Sequence, residues 1–153
     1  MKRIIIYCLL FAAVLVIPVE KLDVGKLEPV QAVWMYKQGN WIVLETDTQD
    51  RGVGRTVEEA LADLEEHCLG IIYLDTAQFL LVSENAVEQI TEVQPHLKRS
   101  VELCRWDGKG SVADAAKYMT SHENGYPIKD WKEGIQLPIL HLKKIFEKNV
   151  EKN

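Results

Sequence analysis

The sequence predicts an α/β protein of mixed α+β type. An N-terminal membrane-anchor helix is followed by one small mixed-sheet domain with helices packed on it. Three observations lead to this prediction. A long uncharged stretch follows the basic residues Lys2 and Arg3. Downstream of it, β-rich runs alternate with amphipathic helical patterns. The chain has 153 residues, 47% of them hydrophobic, which suits one domain with its own core.

The predicted anchor occupies residues 1–19. Its uncharged run, residues 4–19, is longer than the usual signal-peptide core of about 7–15 residues and shorter than a full span of about 20. Basic residues before the run and acidic residues after it predict an amino terminus inside and the remainder outside. Charged Glu20 and Asp23 follow directly, so we expect an uncleaved anchor. A cleaved signal peptide and a buried helix are the alternatives. Residues 20–29 are interpreted as a tether.

The domain, residues 30–150, begins with a predicted β-hairpin. Its strands cover 30–36 and 41–46, both rich in β-forming residues, and turn-forming residues join them. Residues 47–55, with two glycines, are expected to form a loop.

The first domain helix begins at a capping box, Thr56-Val-Glu-Glu59, in which the Thr side chain takes an orphan amide and Glu59 reaches back. Apolar residues then recur at helical spacing and predict the buried face: Val57, Ala60, Leu61, Leu64 and Cys68. Short apolar runs predict core strands at 71–74 and 79–82. The remaining expected segments are a helix over 83–93 stopped by Pro95, a half-buried strand over 100–106, a helix over 111–119, a loop over 120–136 and an amphipathic helix over 137–150. Trp131 is expected near the surface or the membrane interface.

Several classes of function are disfavoured by composition and spacing. A formal net charge of -5 argues against a nucleic-acid binder. The glycines of Gly52-Val-Gly54 lack the Lys of a phosphate loop and the third glycine of a dinucleotide fingerprint. The four histidines show no metal-ligand spacing. We therefore expect no cofactor, no metal and no enzymatic activity.

Two cysteines lie outside the predicted anchor, Cys68 and Cys104. In an extracytoplasmic domain they could form a disulfide, which would stabilise the fold by about 3–4 kcal/mol. Both also occupy predicted core-facing positions, so two buried thiols are the alternative.

Two candidate binding regions follow from the charge pattern. Between Arg55 and Lys98 the chain carries acidic residues and neither Lys nor Arg, which predicts an acidic helix face. A partner-binding face is therefore expected at Arg51, Arg55, Glu58, Glu59, Glu65 and Glu66. The alternative is a small extracytoplasmic ligand-binding domain or enzyme, with a pocket at strand ends near Asp75, Thr76 and Gln78.

The motif pattern resembles the amino-terminal domain of the spore germinant-receptor C subunit family, membrane lipoproteins of endospore-forming bacteria. The similar segments are Gly52-x-Gly54-x-Thr56-x-x-Glu59-Ala60-Leu61-x-x-Leu64, Ile72-Tyr73-Leu74 with Phe79-Leu-Leu-Val82-x-Glu84, Arg99–Glu102, Gly110–Ala115 and Leu137–Leu142. The family's lipidated cysteine and later domains have no counterpart in this sequence, so the resemblance is to a stand-alone first domain.

The resemblance implies a non-enzymatic role in a complex with polytopic membrane subunits. We expect a single-pass protein of the cell membrane, or of the spore inner membrane, with its domain on the extracytoplasmic side. As a tethered module it would bind membrane-protein partners in a spore germination or sporulation-associated complex, because tethering raises its effective concentration beside them.

Overall fold

A computed structural model describes residues 27–68, 71–122 and 125–142 of the chain. The strands within these ranges are β1 (Leu27–Pro29), β2 (Ala32–Gln38), β3 (Trp41–Thr46), β4 (Arg51–Gly54), β5 (Ile71–Tyr73), β6 (Phe79–Val82), β7 (Glu102–Trp106), β8 (Tyr126–Pro127) and β9 (Ile139–Leu140). The α-helices are α1 (Val57–His67), α2 (Ile90–Val93) and α3 (Val112–His122). Short 3-10 turns occupy 74–76, 84–89, 94–96 and 128–130.

The main sheet has seven strands in the order β4-β3-β2-β6-β7-β8, with β9 also paired to β7. Strands β2, β6, β7 and β9 run parallel, whereas β3, β4 and β8 are antiparallel to their neighbours. A separate parallel pair joins β1 to β5. The fold is therefore a mixed α/β domain, as the sequence predicts at this level.

Helices cover both faces of the main sheet. Residues Val57, Ala60, Leu61 and Leu64 of α1 share a core with Val33, Met35, Ile42, Leu44, Leu80 and Leu103 on one sheet face. We call this the α1 face. Residues Val112, Ala115, Ala116 and Met119 of α3 share a second core with Ala32, Phe79, Leu81, Cys104 and Trp106 on the opposite face. We call this the α3 face. Strand β7 has buried residues on both faces, Leu103 on the α1 face and Cys104 and Trp106 on the α3 face, and its polar residues Glu102 and Arg105 are partly exposed. The expectation of a half-buried strand with one buried face therefore holds only in part.

Local signals predicted several elements well. The hairpin of β2 and β3 is confirmed, with its turn at Gly39, where φ is +63°. Thr56 caps α1 by accepting from the amide of Glu59. Helix α3 begins after Ser111, whose Oγ accepts from the Asp114 amide at 3.1 Å. Such helix caps are recognisable from sequence because the capping side chain bonds an amide only three residues further along the chain.

Several segments differ from expectation because tertiary contacts decided them. Residues Arg51–Gly54 form β4 rather than a loop, since they pair with β3. Residues 139–140 form β9 against β7 rather than the start of a helix, and residues 143–150 of that expected helix lie outside the described residues. The segment 84–96 is mostly 3-10, with only Ile90–Val93 α-helical. Tyr126 and Pro127 form β8 within the expected loop.

Two further expectations concern the ends of the chain and Trp131. Residues 27–29, assigned to the tether from sequence, form β1. Residues 1–26, which hold the expected anchor, lie outside the described ranges, and no helix inside those ranges is long and apolar enough to cross a membrane. Trp131 is buried in the core of the α1 face, so its expected surface position is wrong. Burying its large aromatic surface in that core stabilises the fold more than exposing it to solvent would.

Candidate functional site: an acidic groove beside α1

Helix α1 lies unusually close to the edge strand β4. A Cβ atom on Gly52 would lie 2.1 Å from the Ala60 carbonyl oxygen, and one on Gly54 would lie 2.3 Å from the Ala60 nitrogen. Only glycine permits this approach, because any side chain would overlap the helix backbone. The Gly-Val-Gly pattern therefore permits close packing of α1 on strand β4. The expected loop at this position is replaced by that strand.

The close approach lets two helix carboxylates reach the outer edge of β4. Asp63 Oδ2 accepts from the Val53 amide at 2.8 Å, and Glu59 Oε2 accepts from the Arg55 amide at 2.7 Å. These amides would otherwise be exposed on an open sheet edge, where another strand could pair. Glu59, placed in the expected binding face, thus has a structural role in closing this edge.

On its other side, α1 borders a groove with an apolar floor and an acidic rim. Leu61, Ala62 and Leu74 line the floor, and the volume is about 360 Å³. Glu58 and Glu65 are seven residues apart and therefore share one helix face. They form the rim together with Asp75, from the 3-10 turn after β5, and His96. All three carboxylates are on exposed residues, whereas Leu61 is only 7% exposed.

The structure divides the expected partner-binding face among separate surfaces. Glu58 and Glu65 line the groove, while Glu66 is exposed elsewhere on α1. Arg51 and Arg55 alternate with the glycines that contact α1, so they project from the α3 face of the sheet. The six residues therefore do not form one surface.

The alternative pocket near Asp75 is only partly formed. Asp75 is exposed and lines the acidic groove. Thr76 instead donates its hydroxyl to the Val30 carbonyl at 3.0 Å, and the Gln78 amide donates to the Gln31 carbonyl at 2.8 Å. The Thr76 hydroxyl and the Gln78 amide therefore bond the segment directly before β2. The three residues do not converge as a catalytic set.

The two cysteines belong to different cores. Cys68 packs against the core of the α1 face, and its Sγ donates to the Glu65 carbonyl at 3.2 Å. Cys104 is a buried thiol on the α3 face that donates to the Pro138 carbonyl at 3.1 Å. The sheet lies between them, so the structure does not pair Cys68 with Cys104, which was one of the two alternatives for these residues. Sequence spacing left both alternatives open because it does not reveal which face of the sheet a residue packs against.

Burial predicts that Cys104 is chemically inert in the folded protein. Desolvation raises the pKa of its thiol from 9.0 to about 11, which lowers the thiolate fraction near neutral pH by about a hundredfold. We expect a chromogenic disulfide reagent at pH 8 to leave Cys104 unmodified in a Cys8→Ala/Cys68→Ala variant until denaturant is added. Prompt modification of the folded variant would contradict this burial.

A second cleft lies at the carboxyl edge of the parallel strands and has a volume of about 560 Å³. Three of its charged side chains, those of Glu84, Arg105 and Asp107, are engaged in ion pairs. Arg105 Nη1 lies 2.8 Å from Glu84 Oε2, and Lys109 Nζ lies 2.9 Å from Asp107 Oδ2. A hydrogen bond from Lys109 lowers the pKa of the Asp107 carboxyl. Asn85 donates to the Lys37 carbonyl at 3.0 Å. These ion pairs and hydrogen bonds stabilise the ends of the strands, and the arrangement does not resemble a reactive centre.

Across the described ranges, no three His, Cys, Asp or Glu side chains are grouped so that they could hold a metal ion. Comparisons with protein-family models, with curated proteins and with solved structures find no match to this chain. Sequence reasoning missed the apolar floor of the acidic groove. The helical spacing of Glu58 and Glu65 was a usable signal, but nothing local indicated that Asp75 would join them.

Proposed function

We propose that this protein is a non-enzymatic, membrane-tethered binding module that takes a basic segment of a membrane-protein partner into the acidic groove. The observation that carries the proposal is the convergence of Glu58, Glu65 and Asp75 around an apolar floor. These carboxylates attract Lys or Arg side chains, and Leu61 and Leu74 offer contact to an apolar residue between them.

The lining of the groove supports a cationic partner rather than an anionic one. Three carboxylate side chains and neither Lys nor Arg are among its lining residues, which favours a positively charged segment. The resemblance to germinant-receptor C subunits supports a membrane subunit as the source of the segment, and a spore germination or sporulation-associated complex as the setting. Tethering to the same membrane would favour an interaction that is weak in solution.

Photo-crosslinking from the groove floor tests the proposal. A photoreactive amino acid at Ala62, an exposed position of the floor, should crosslink to a membrane protein in intact cells. Mass spectrometry should map the crosslink to a segment that contains Lys or Arg. Charge reversal in a Glu58→Lys/Glu65→Lys variant should reduce the crosslink about tenfold or more, because attraction becomes repulsion.

The matched control is Glu88→Lys/Glu92→Lys. These residues are also exposed acids, outside the groove, and the variant changes the net charge equally. It should crosslink like the unaltered protein. Equal loss in both variants would show a general charge effect, and a crosslink to a segment without basic residues would count against the proposed partner chemistry.

The location has its own test. A cysteine introduced at exposed Lys117, in a variant with Cys8 and Cys68 replaced by Ala, should react with a membrane-impermeant maleimide added to intact cells. Buried Cys104 should contribute no background. Labelling that requires cell lysis would place the domain inside and overturn the extracytoplasmic assignment.

A further inference from the structure

A second surface, opposite α1, presents aromatic rings beside two guanidinium groups. Trp34 and Tyr36 of β2 are stacked, with ring centroids 4.1 Å apart. Trp41 of β3 is 45% exposed, which is rare for a large apolar side chain in the described ranges. All three alternate onto the α3 face of the sheet, on the part near β3 and β4.

Arg51 of β4 and Arg55, directly after β4, converge on the region of Trp41. The Arg55 guanidinium lies over the indole ring, 5.4 Å from its centroid. Arg51 reaches across the sheet and donates from Nη2 to Gln38 Oε1 at 3.1 Å, and Gln38 is the register partner of Trp41. Both guanidinium groups are therefore brought to the hairpin end of the sheet, and both residues are exposed.

The local charge is opposite to that of the whole chain. On the α3 face, β2, β3, β4 and the following Arg55 carry two arginines and one acid, Glu45, whereas the chain has a formal net charge of -5. A further carboxylate, that of Glu59, accepts from the Arg55 amide at the sheet edge. Burial raises the pKa of the Tyr36 hydroxyl, while Arg51 lowers it and Glu45 raises it through space. Both charges therefore act on the middle of this surface.

We infer that this surface, formed by Trp34, Tyr36, Trp41, Arg51 and Arg55, binds an acidic segment of a partner protein that carries an aliphatic or aromatic side chain. Guanidinium groups bind carboxylates through paired hydrogen bonds, and an exposed indole contributes apolar contact area next to them. A short acidic segment fits two arginines. A nucleic acid brings many more charges, which the acidic remainder of the chain repels.

Binding to this surface is separate from binding to the acidic groove. The groove borders α1, whereas the arginine-bearing surface lies on the opposite face of the sheet. The two surfaces also select opposite charges. The probe used below carries no basic residue, so its result neither depends on the proposed function nor decides it.

Fluorescence anisotropy on the detergent-solubilised full chain tests the inference. The probe is a labelled short peptide in which glutamates flank a central leucine and phenylalanine. We expect saturable binding that weakens with added salt, and little binding of the counterpart with glutamines in place of the glutamates. An Arg51→Gln/Arg55→Gln variant should weaken binding about tenfold or more. A Trp41→Ala variant should weaken binding while leaving the salt dependence in place.

The control is Lys98→Gln/Lys132→Gln, which removes the same charge from two exposed residues elsewhere. It should bind like the unaltered protein. Equal losses in the two double variants, or no saturable binding of the acidic peptide, would overturn the inference. So would tighter binding of a single-stranded oligonucleotide or of soluble short-chain phosphatidylserine, if it were lost in the Arg51→Gln/Arg55→Gln variant.

Discussion

Replacing Gly52 with Ala should destabilise this protein by about 3 kcal/mol or more, a large fraction of the stability of a typical domain. The added Cβ would lie 2.1 Å from the Ala60 carbonyl oxygen and 2.6 Å from Leu64 Cβ. A backbone carbonyl cannot rotate out of the way as the end of a flexible side chain can. Helix α1 would therefore have to move away from β4. That movement would also weaken the Asp63 hydrogen bond to the strand edge. Urea unfolding followed by tryptophan fluorescence measures the loss.

Gly39→Ala is the control for this prediction. Nothing lies within 4 Å of a Cβ at that position, although its φ of +63° disfavours a side chain. Its cost should be only the conformational term, about 1–2 kcal/mol. If Gly52→Ala cost no more than Gly39→Ala, the close packing of α1 on β4 would be contradicted.

Truncating Trp106 to Ala should cost about 3–5 kcal/mol in the free energy of unfolding. The side chain is 1% exposed in the core of the α3 face and packs edge-on against Trp34, with ring centroids 4.8 Å apart. Its removal would leave a cavity between the sheet and α3. Chemical denaturation of the variant and the unaltered protein gives the difference.

Trp41→Ala makes the same chemical change at a site that is 45% exposed, and it should cost much less. Trp106→Phe adds a second comparison, because the buried Trp106 Nε1 has no acceptor in the part of the chain that the structure describes. Replacing Trp106 with Phe removes this unsatisfied donor, which offsets part of the free energy lost with the smaller packed surface. The Phe variant should therefore retain most of the stability. Equal costs for Trp106→Ala and Trp41→Ala would contradict the assignment of Trp106 to the core.

The candidate surfaces were only partly predictable from sequence. Glu58 and Glu65 were predicted as part of an acidic helix face, because the segment between Arg55 and Lys98 carries acids and neither Lys nor Arg. Glu59 was assigned to that binding face, yet it accepts from the Arg55 amide. Asp75 was identified as a separate pocket residue, and tertiary structure brings it to the same groove. Trp41 and the arginines meet through strand register, which no local pattern of the sequence specifies.

Features that depend on near neighbours along the chain were predictable from the sequence: the β2–β3 hairpin, the cap of α1 at Thr56, the buried residues of α1 and the start of α3 after Ser111. Tertiary structure alone decided that residues 51–54 and 139–140 become strands, that Trp131 is buried, and that Cys68 and Cys104 lie in different cores. The physical reason is the range of the forces involved. Caps and amphipathic spacing act within a few residues, whereas strand pairing and burial depend on partners that only the folded chain brings near.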